Sequence, residues 1–438
     1  MFFSEELERL QVEAAGRPND AGVLCELGNA LVRARRPAEG AVILRRAIRL
    51  AEEQGRLYSN LGLALGDLGR FDEARDAFLE AIVREPDWAP AHNNLAQLYI
   101  MMGRHEDAVT CADVALAIEP SYAPARKNRA LAYLAMGDFA DGWIDYDWCA
   151  LGHQEPSYPQ PSWRGEPLAG KHLLLTAHQG LGDALQFIRY AAMLRRSAGR
   201  ITLEIPLPLA EVVRSCDGID EVIIQGQPLP QADLCVPLMA LPRLFHTRLE
   251  TIPAQTPYLR ANPQRIARWR DYLNRATAPG ERLVGIAWQG NPHHQWDQFR
   301  SARLRDFEPL VTIPGVRLVS LQRGPGIEQI PAFQEAVGNA ILVPTDGEQS
   351  APADLAETAA MMTLLDLIIT VDTATAHLAG ALARPTWLAL SQACDWRWLT
   401  NRSDSPWYPT MRLFRQSQVK QWAAVFASIA EQLKGATT

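Results

Sequence analysis

Several things that would have pointed elsewhere are scarce in this sequence. It has six cysteines in 438 residues, Cys25, Cys111, Cys149, Cys216, Cys235 and Cys394, and no two stand as a CxxC pair. Spacing therefore offers no disulfide framework and no zinc or redox motif. No uninterrupted apolar run approaches the roughly 18 residues of a membrane span, so none is expected. The opening MFFSEELERLQVEAAG is acidic and has no long apolar core, unlike a signal peptide. A basic surplus is missing too: 43 Lys and Arg stand against 50 Asp and Glu, a formal charge of −7. That argues against a nucleic-acid binder. What is left is an ordinary composition, 47% apolar and 21% charged, long enough for two or three domains. It suits a reducing cytoplasm.

The first third repeats every 34 residues. Small residues recur at Gly28, Gly62, Ala96 and Ala130, with Leu31, Leu65, Tyr99 and Tyr133 three places later. Ala47, Ala81 and Ala115 keep the same spacing, as do Gly40, Ala74, Ala108 and Gly142, and Pro86 and Pro120 close two units. This is the tetratricopeptide pattern, in which helix pairs meet through small side chains and stack into a solenoid. The clearest units are 55–88 and 89–122, with a looser one at 21–54 and a degenerate one from 123. Such a groove is expected to take a peptide or protein partner.

Aromatics crowd the join: Trp143, Tyr146, Trp148, Tyr158 and Trp163. They read either as a sugar-stacking platform or as a packed junction. Tyr146 falls at the phenylalanine position of the repeat, which favours packing. Beyond it, near-continuous apolar strands alternate with helices. Strands are expected at 171–177, 201–205, 221–225 and 232–236, a bridging helix at 260–275, then strands at 283–288, 317–321, 340–344, 366–371 and 386–390. Intervening helices are expected at 303–311, 327–337, 353–364 and 373–383, and a last one at 418–434. Parallel sheets covered on both faces follow from this pattern. The expected domains are a solenoid at 1–150, a junction at 151–170, one Rossmann-like half at 171–260 and a second at 261–438.

Three loops follow strands, where such folds gather ligands. In His178-Gln179-Gly180-Leu181-Gly182-Asp183, the glycines allow a close turn, and Asp183 reads either as a base or as a helix cap. This turn lacks the GxGxxG dinucleotide fingerprint. In Asp372-Thr373-Ala374-Thr375, a helix starting straight after a strand would point free amides at a phosphate, or simply be capped; His377 lies within that helix. In the third loop, Gln289, Asn291, His293, His294, Asp297 and Arg300 suggest a polar cleft wall. A metal reading of the paired histidines lacks a further ligand at suitable spacing, so no metal is expected. Trp396 and Arg397 could flank a base or lock the C-terminal helix.

Taken together, WRGEPLAGKHLLLTAHQGLGDALQFIRYA, GIAWQGNPHHQWDQFRS, SLQRG and VDTATAHLAGAL, after the repeats, resemble bacterial tetratricopeptide-repeat glycosyltransferases. The catalytic part is similar to lipopolysaccharide heptosyltransferases, and the plan resembles O-linked N-acetylglucosamine transferases. The resemblance implies a GT-B fold, two Rossmann-like domains facing across a cleft, and a metal-independent, inverting transfer from a nucleotide-diphosphate sugar to a hydroxyl. It implies Asp183 as general base. It places Asp372, Thr373, Ala374 and Thr375 at the donor, with Gly180, Gly182, Gln289, Asn291, Arg300 and Gln322 also at the binding site. His178, His294, Asp297, His377 and Trp396 would support them. Two departures stand out: His178 replaces a usual Glu, and Gln295 replaces a usual Lys that would face the diphosphate. Arg300 is the candidate substitute for that charge. The alternative is a non-catalytic scaffold or nucleotide-binding protein.

Overall fold

The computed structural model describes residues 2–152, 158–294, 296–338, 340–344 and 354–435. The chain divides into two compact units: Met1–Met136 with Ile144–Cys149, and Gly137–Trp143 with Ala150–Thr438.

In the first unit, helices pair as the 34-residue register requires: Ala21–Arg33 with Pro37–Leu50, Gly55–Asp67 with Phe71–Arg84, and Ala89–Met101 with His105–Ile118; Ala123–Met136 follows in the same register. The small residues set the approach. A Cβ on Gly62 would stand 2.6 Å from the Phe78 ring, while Ala74, Ala81, Ala96, Ala108, Ala115 and Ala130 are fully buried. The turn within each pair uses one left-handed residue, Gly69, Gly103 and Gly137 at φ 76°, 74° and 85°; the first pair puts Arg35 there at φ 61°. Asparagines tie successive repeats together: Asn60 Nδ2 donates to Cys25 Sγ (3.1 Å), Asn94 Nδ2 to Ser59 Oγ (3.1 Å) and Asn128 Nδ2 to Asn93 Oδ1 (2.9 Å).

The second unit is built on two parallel sheets. Strands β1 (His172–Thr176), β2 (Arg200–Ile205), β3 (Glu221–Ile224) and β4 (Leu234–Pro237) form the first, in the order β3-β2-β1-β4. Strands β5 (Arg282–Ala287), β6 (Val316–Ser320), β7 (Ile341–Leu342), β8 (Leu367–Val371), β9 (Thr386–Leu390) and β10 (Met411–Arg415) form the second, in the order β10-β9-β8-β5-β6-β7. Every pairing is parallel. Each sheet is a Rossmann-like half of the GT-B plan, and each has one switch point where strand order reverses: between β1 and β4, and between β5 and β8. The core of the second half joins Val284, Ile286, Phe307, Ile369 and the C-terminal helix through Phe426, Ile429 and Leu433.

Several expected boundaries move. The last helix starts at Trp422, not 418, and the stretch expected to be helical at 303–311 is a 3-10 turn, Leu304–Phe307, followed by a short helix, Glu308–Val311. The helix after the first loop ends at Phe187 and continues as short pieces to Leu194. The division expected at 150 falls earlier, because the start of the helix Phe139–Gly152 packs with the second unit. Phe139 stacks on Trp407 (6.0 Å), Trp143 meets Trp396 edge-on (5.3 Å), and Trp143 Nε1 donates to Thr247 O (2.9 Å). With Trp143 and Trp163 buried, these two belong to a packed junction rather than a platform. The Trp148 side chain lies outside the described residues.

Candidate active site

The first loop leaves β1 at its switch point, and the second and third loops leave β8 and β5 at theirs. This is where open parallel sheets hold ligands. The helix Leu181–Phe187, from the first loop, packs on the helix Ala374–Ala381, from the second. Gly182 makes that possible: a Cβ there would stand 2.8 Å from His377 Cδ2. The third loop reaches the same place, since a Cβ on Gly290 would stand 2.9 Å from Arg300 Nη2 and 3.3 Å from Thr373 Cγ2. Residues up to about 200 positions apart in sequence thus share one small volume.

Asp183 carries both roles the sequence left open. Its Oδ2 accepts from Gly180 N–H (2.9 Å), as a cap, and its Oδ1 accepts from Arg397 Nη2 across the cleft. Burial raises its pKa, and the nearby Asp395 adds to this; Arg397, the Gly180 N–H and Arg300 act the other way. Arg397 is itself buried. It also donates to Gln186 Oε1 and, through Nη1, to Asp395 Oδ1 (2.8 Å), with its guanidinium over Trp396 at 4.5 Å. Sequence reading placed Arg397 near a ligand edge but did not link it to Asp183. Only the fold brings 183 and 397 together.

On the donor side, Thr373 precedes the helix Ala374–Ala381 and gives it no side-chain cap. The first amides of that helix have no intrahelical acceptor, and Thr373 Oγ1 is buried with no partner among the described residues. Asp372 is buried, and its carboxyl is pushed up to about 6, first by burial and then by Asp395, against Arg300 and Arg397. His377 donates to or accepts from the Tyr408 hydroxyl through Nδ1 (2.8 Å) and stacks on Trp398 (5.4 Å). Burial, helped by Arg397, Arg189 and Arg300, lowers its pKa well below 6.5, so the ring is neutral at pH 7.

Arg300 is the cation most open to a ligand. Its one ion pair is a long Nε contact to Asp297 Oδ1 (3.5 Å). Asp297 is held by the Ser301 hydroxyl (2.8 Å), whose Oγ accepts from Gly290 N–H (3.0 Å). Asn291 and His294 shape the loop: Asn291 Oδ1 accepts from His293 N–H (3.0 Å), and His294 Nδ1 from Trp296 N–H (3.2 Å). Gln295 lies outside the described residues. Gln322 acts as a brace, accepting from the amides of Trp288 (2.9 Å) and Gln289 (3.0 Å) and donating to Gln289 O (2.9 Å) and Pro325 O (2.7 Å). Gln289 Oε1 accepts from Gln329 Nε2 (3.1 Å). His178 stands apart from Asp183's cluster, in a network with the Tyr158 hydroxyl, Glu204 (3.3 Å) and Gln225 Nε2 (3.3 Å). This network lies along the carboxyl ends of β1, β2 and β3.

Among known proteins, residues 53–121 match the tetratricopeptide repeat family. Over 477 aligned residues the chain is 27% identical to protein FlbA of Caulobacter vibrioides, covering 98% of this chain and 70% of that protein. Over 88 residues it is 36% identical to the TPR repeat-containing thioredoxin TTL4 of Arabidopsis thaliana, 20% of this chain and 13% of that one. Among solved structures, an O-GlcNAc transferase mutant from Thermobaculum terrenum is similar over 94% of this chain and 89% of its own, at 16% identity and a TM-score of 0.36. MamA is similar over 34% of this chain and 86% of its own, at 22% identity and a TM-score of 0.31. The chain therefore carries tetratricopeptide repeats ahead of two parallel-sheet halves.

Proposed function

We propose that this chain is a glycosyltransferase that moves a sugar from a nucleotide-diphosphate sugar to a hydroxyl of a peptide, protein or glycan. The observation that carries this reading is the meeting of Asp183, the uncapped start of the helix Ala374–Ala381 and Arg300 at the facing switch points of the two sheets. The acceptor oxygen attacks the anomeric carbon as the bond to the diphosphate oxygen breaks. The electron pair leaves on the nucleotide diphosphate, and the acceptor proton passes to Asp183. The helix amides and Arg300 supply the countercharge for the leaving group, so the scheme needs no metal. A carboxylate has about four lone-pair positions, and Gly180 and Arg397 use two. Attack from one face, opposite the leaving group, gives inversion.

The second reading is a non-catalytic scaffold or nucleotide-binding protein. Its specific support is that both Asp183 oxygens are already bonded. The repeats serve as the partner-binding surface in either case. A cytoplasmic setting is part of the proposal; the described cysteines Cys25, Cys111, Cys216, Cys235 and Cys394 are free thiols. No described helix is long and apolar enough to cross a membrane. A screen of nucleotide-diphosphate sugars for binding and hydrolysis tests the proposal. Turnover of any one supports transfer. Binding without turnover, with or without peptide acceptors, favours the second reading.

A further inference from the structure

Buried polar atoms normally have partners, and an orphan calls for an explanation. At the carboxyl edge of β8, β9 and β10, three neighbouring residues carry such atoms: Thr373 Oγ1, Ser391 Oγ, and both the Oε1 and Nε2 of Gln416. Ser391 and Gln416 are 3% and 5% exposed, so water does not serve them from bulk. The register aligns them. Val371 pairs with Ala389, which puts Thr373 beside Ser391, and Leu390 pairs with Arg415, which puts Ser391 beside Gln416. The Gln416 N–H bond to Leu390 O (2.9 Å) carries the second pairing past the strand ends. At the usual strand spacing the row is roughly 10 Å long. It starts at the residue that opens the helix Ala374–Ala381.

We propose that this row is the subsite for the sugar of the donor, and that it selects a neutral, hydroxyl-rich glycosyl group. This rests on the donor reading above and adds what the sugar must be. Two hydroxyls and a primary amide supply both donors and acceptors, the complement of a polyol. None of the three is cationic. The carboxylates nearest the row's start, Asp372 and Asp395, would repel an acidic sugar. The cations at that end, Arg300 and Arg397, are committed to the diphosphate and to Asp183. An orphaned amide is costly in the empty protein and is relieved when hydroxyls arrive.

Calorimetry on the full chain tests this with UDP, GDP and ADP, with their glucose esters, and with UDP-glucuronic acid. The expected result is that a glucose ester binds about tenfold more tightly than its own diphosphate, and that the glucuronic ester gains nothing over UDP. Gln416→Met removes the orphan while keeping the volume. It should erase the glucose gain, leave diphosphate affinity intact, and leave thermal stability equal or higher. Ser391→Ala is the second variant should Gln416→Met not fold. A glucose gain that survives both changes overturns the subsite. So does a lower melting temperature in Gln416→Met with the gain unchanged, the mark of a lost buried water. Wild-type protein that binds a diphosphate with no sugar gain overturns the subsite alone. Protein that binds no diphosphate at all overturns the donor reading with it.

Discussion

Asp183 and Asp372 face each other across a field of two arginines, and their burial gives them opposite uses. Asp183 keeps a route to an acceptor, with 26% of its side chain exposed. Asp183→Asn keeps the shape and removes the charge. If Asp183 is the base, transfer should slow by roughly 10²-fold or more, with diphosphate affinity nearly unchanged. Stability must be measured beside it, because the change leaves Arg397 with one carboxylate fewer. Asp372 makes a different prediction. Its folded pKa of about 6 lies above the ordinary 3.8. The folded state therefore holds a proton that the unfolded state has lost between those values. Stability from this group is full below about pH 4 and falls as pH rises through 6. Asp372→Asn should thus stabilise the free protein at pH 7, by roughly 1–3 kcal/mol, with the gain gone at pH 4; urea unfolding at several pH values reads this directly. His377 runs the other way. Its lowered pKa costs stability as pH falls below about 6.5, so the single variant, not the wild type, exposes the Asp372 slope.

At the scale of elements, the 34-residue period and the strand–helix alternation were legible because burial imposes them on every repeat and strand. Ala74, Ala108 and Gly62 announce helix contacts by size alone. The β8-to-helix step at Asp372 and Thr373 was legible for the same local reason. Arg397 and Gln416 were not, because nothing local marks a partner more than 200 residues away, or an amide whose neighbours come from other strands. The last helix was expected too early because 418–421 is polar and could pass for a first turn, whereas the apolar face that packs on β10 and Phe307 starts at Trp422. Two variants test the repeat geometry. Gly62→Ala drives a methyl into the Phe78 ring and should destabilise the first unit by about 1–3 kcal/mol. Arg35→Gly relieves a left-handed non-glycine residue and should stabilise it by up to about 1 kcal/mol. Circular-dichroism melts would show both; equal melting temperatures for Gly62→Ala and wild type would mean that the helix pair is looser than described.

Over the whole molecule, the account depends on the donor diphosphate resting at the start of the helix Ala374–Ala381, against Arg300. The most direct test is calorimetric titration of UDP, GDP and ADP into the wild-type chain and into Arg300→Ala, at low and at physiological salt. The account predicts that at least one diphosphate binds below millimolar. It also predicts that Arg300→Ala weakens binding about tenfold, and that the loss shrinks as salt screens the charge. No diphosphate binding below millimolar, or equal affinity in the two proteins at low salt, would contradict it.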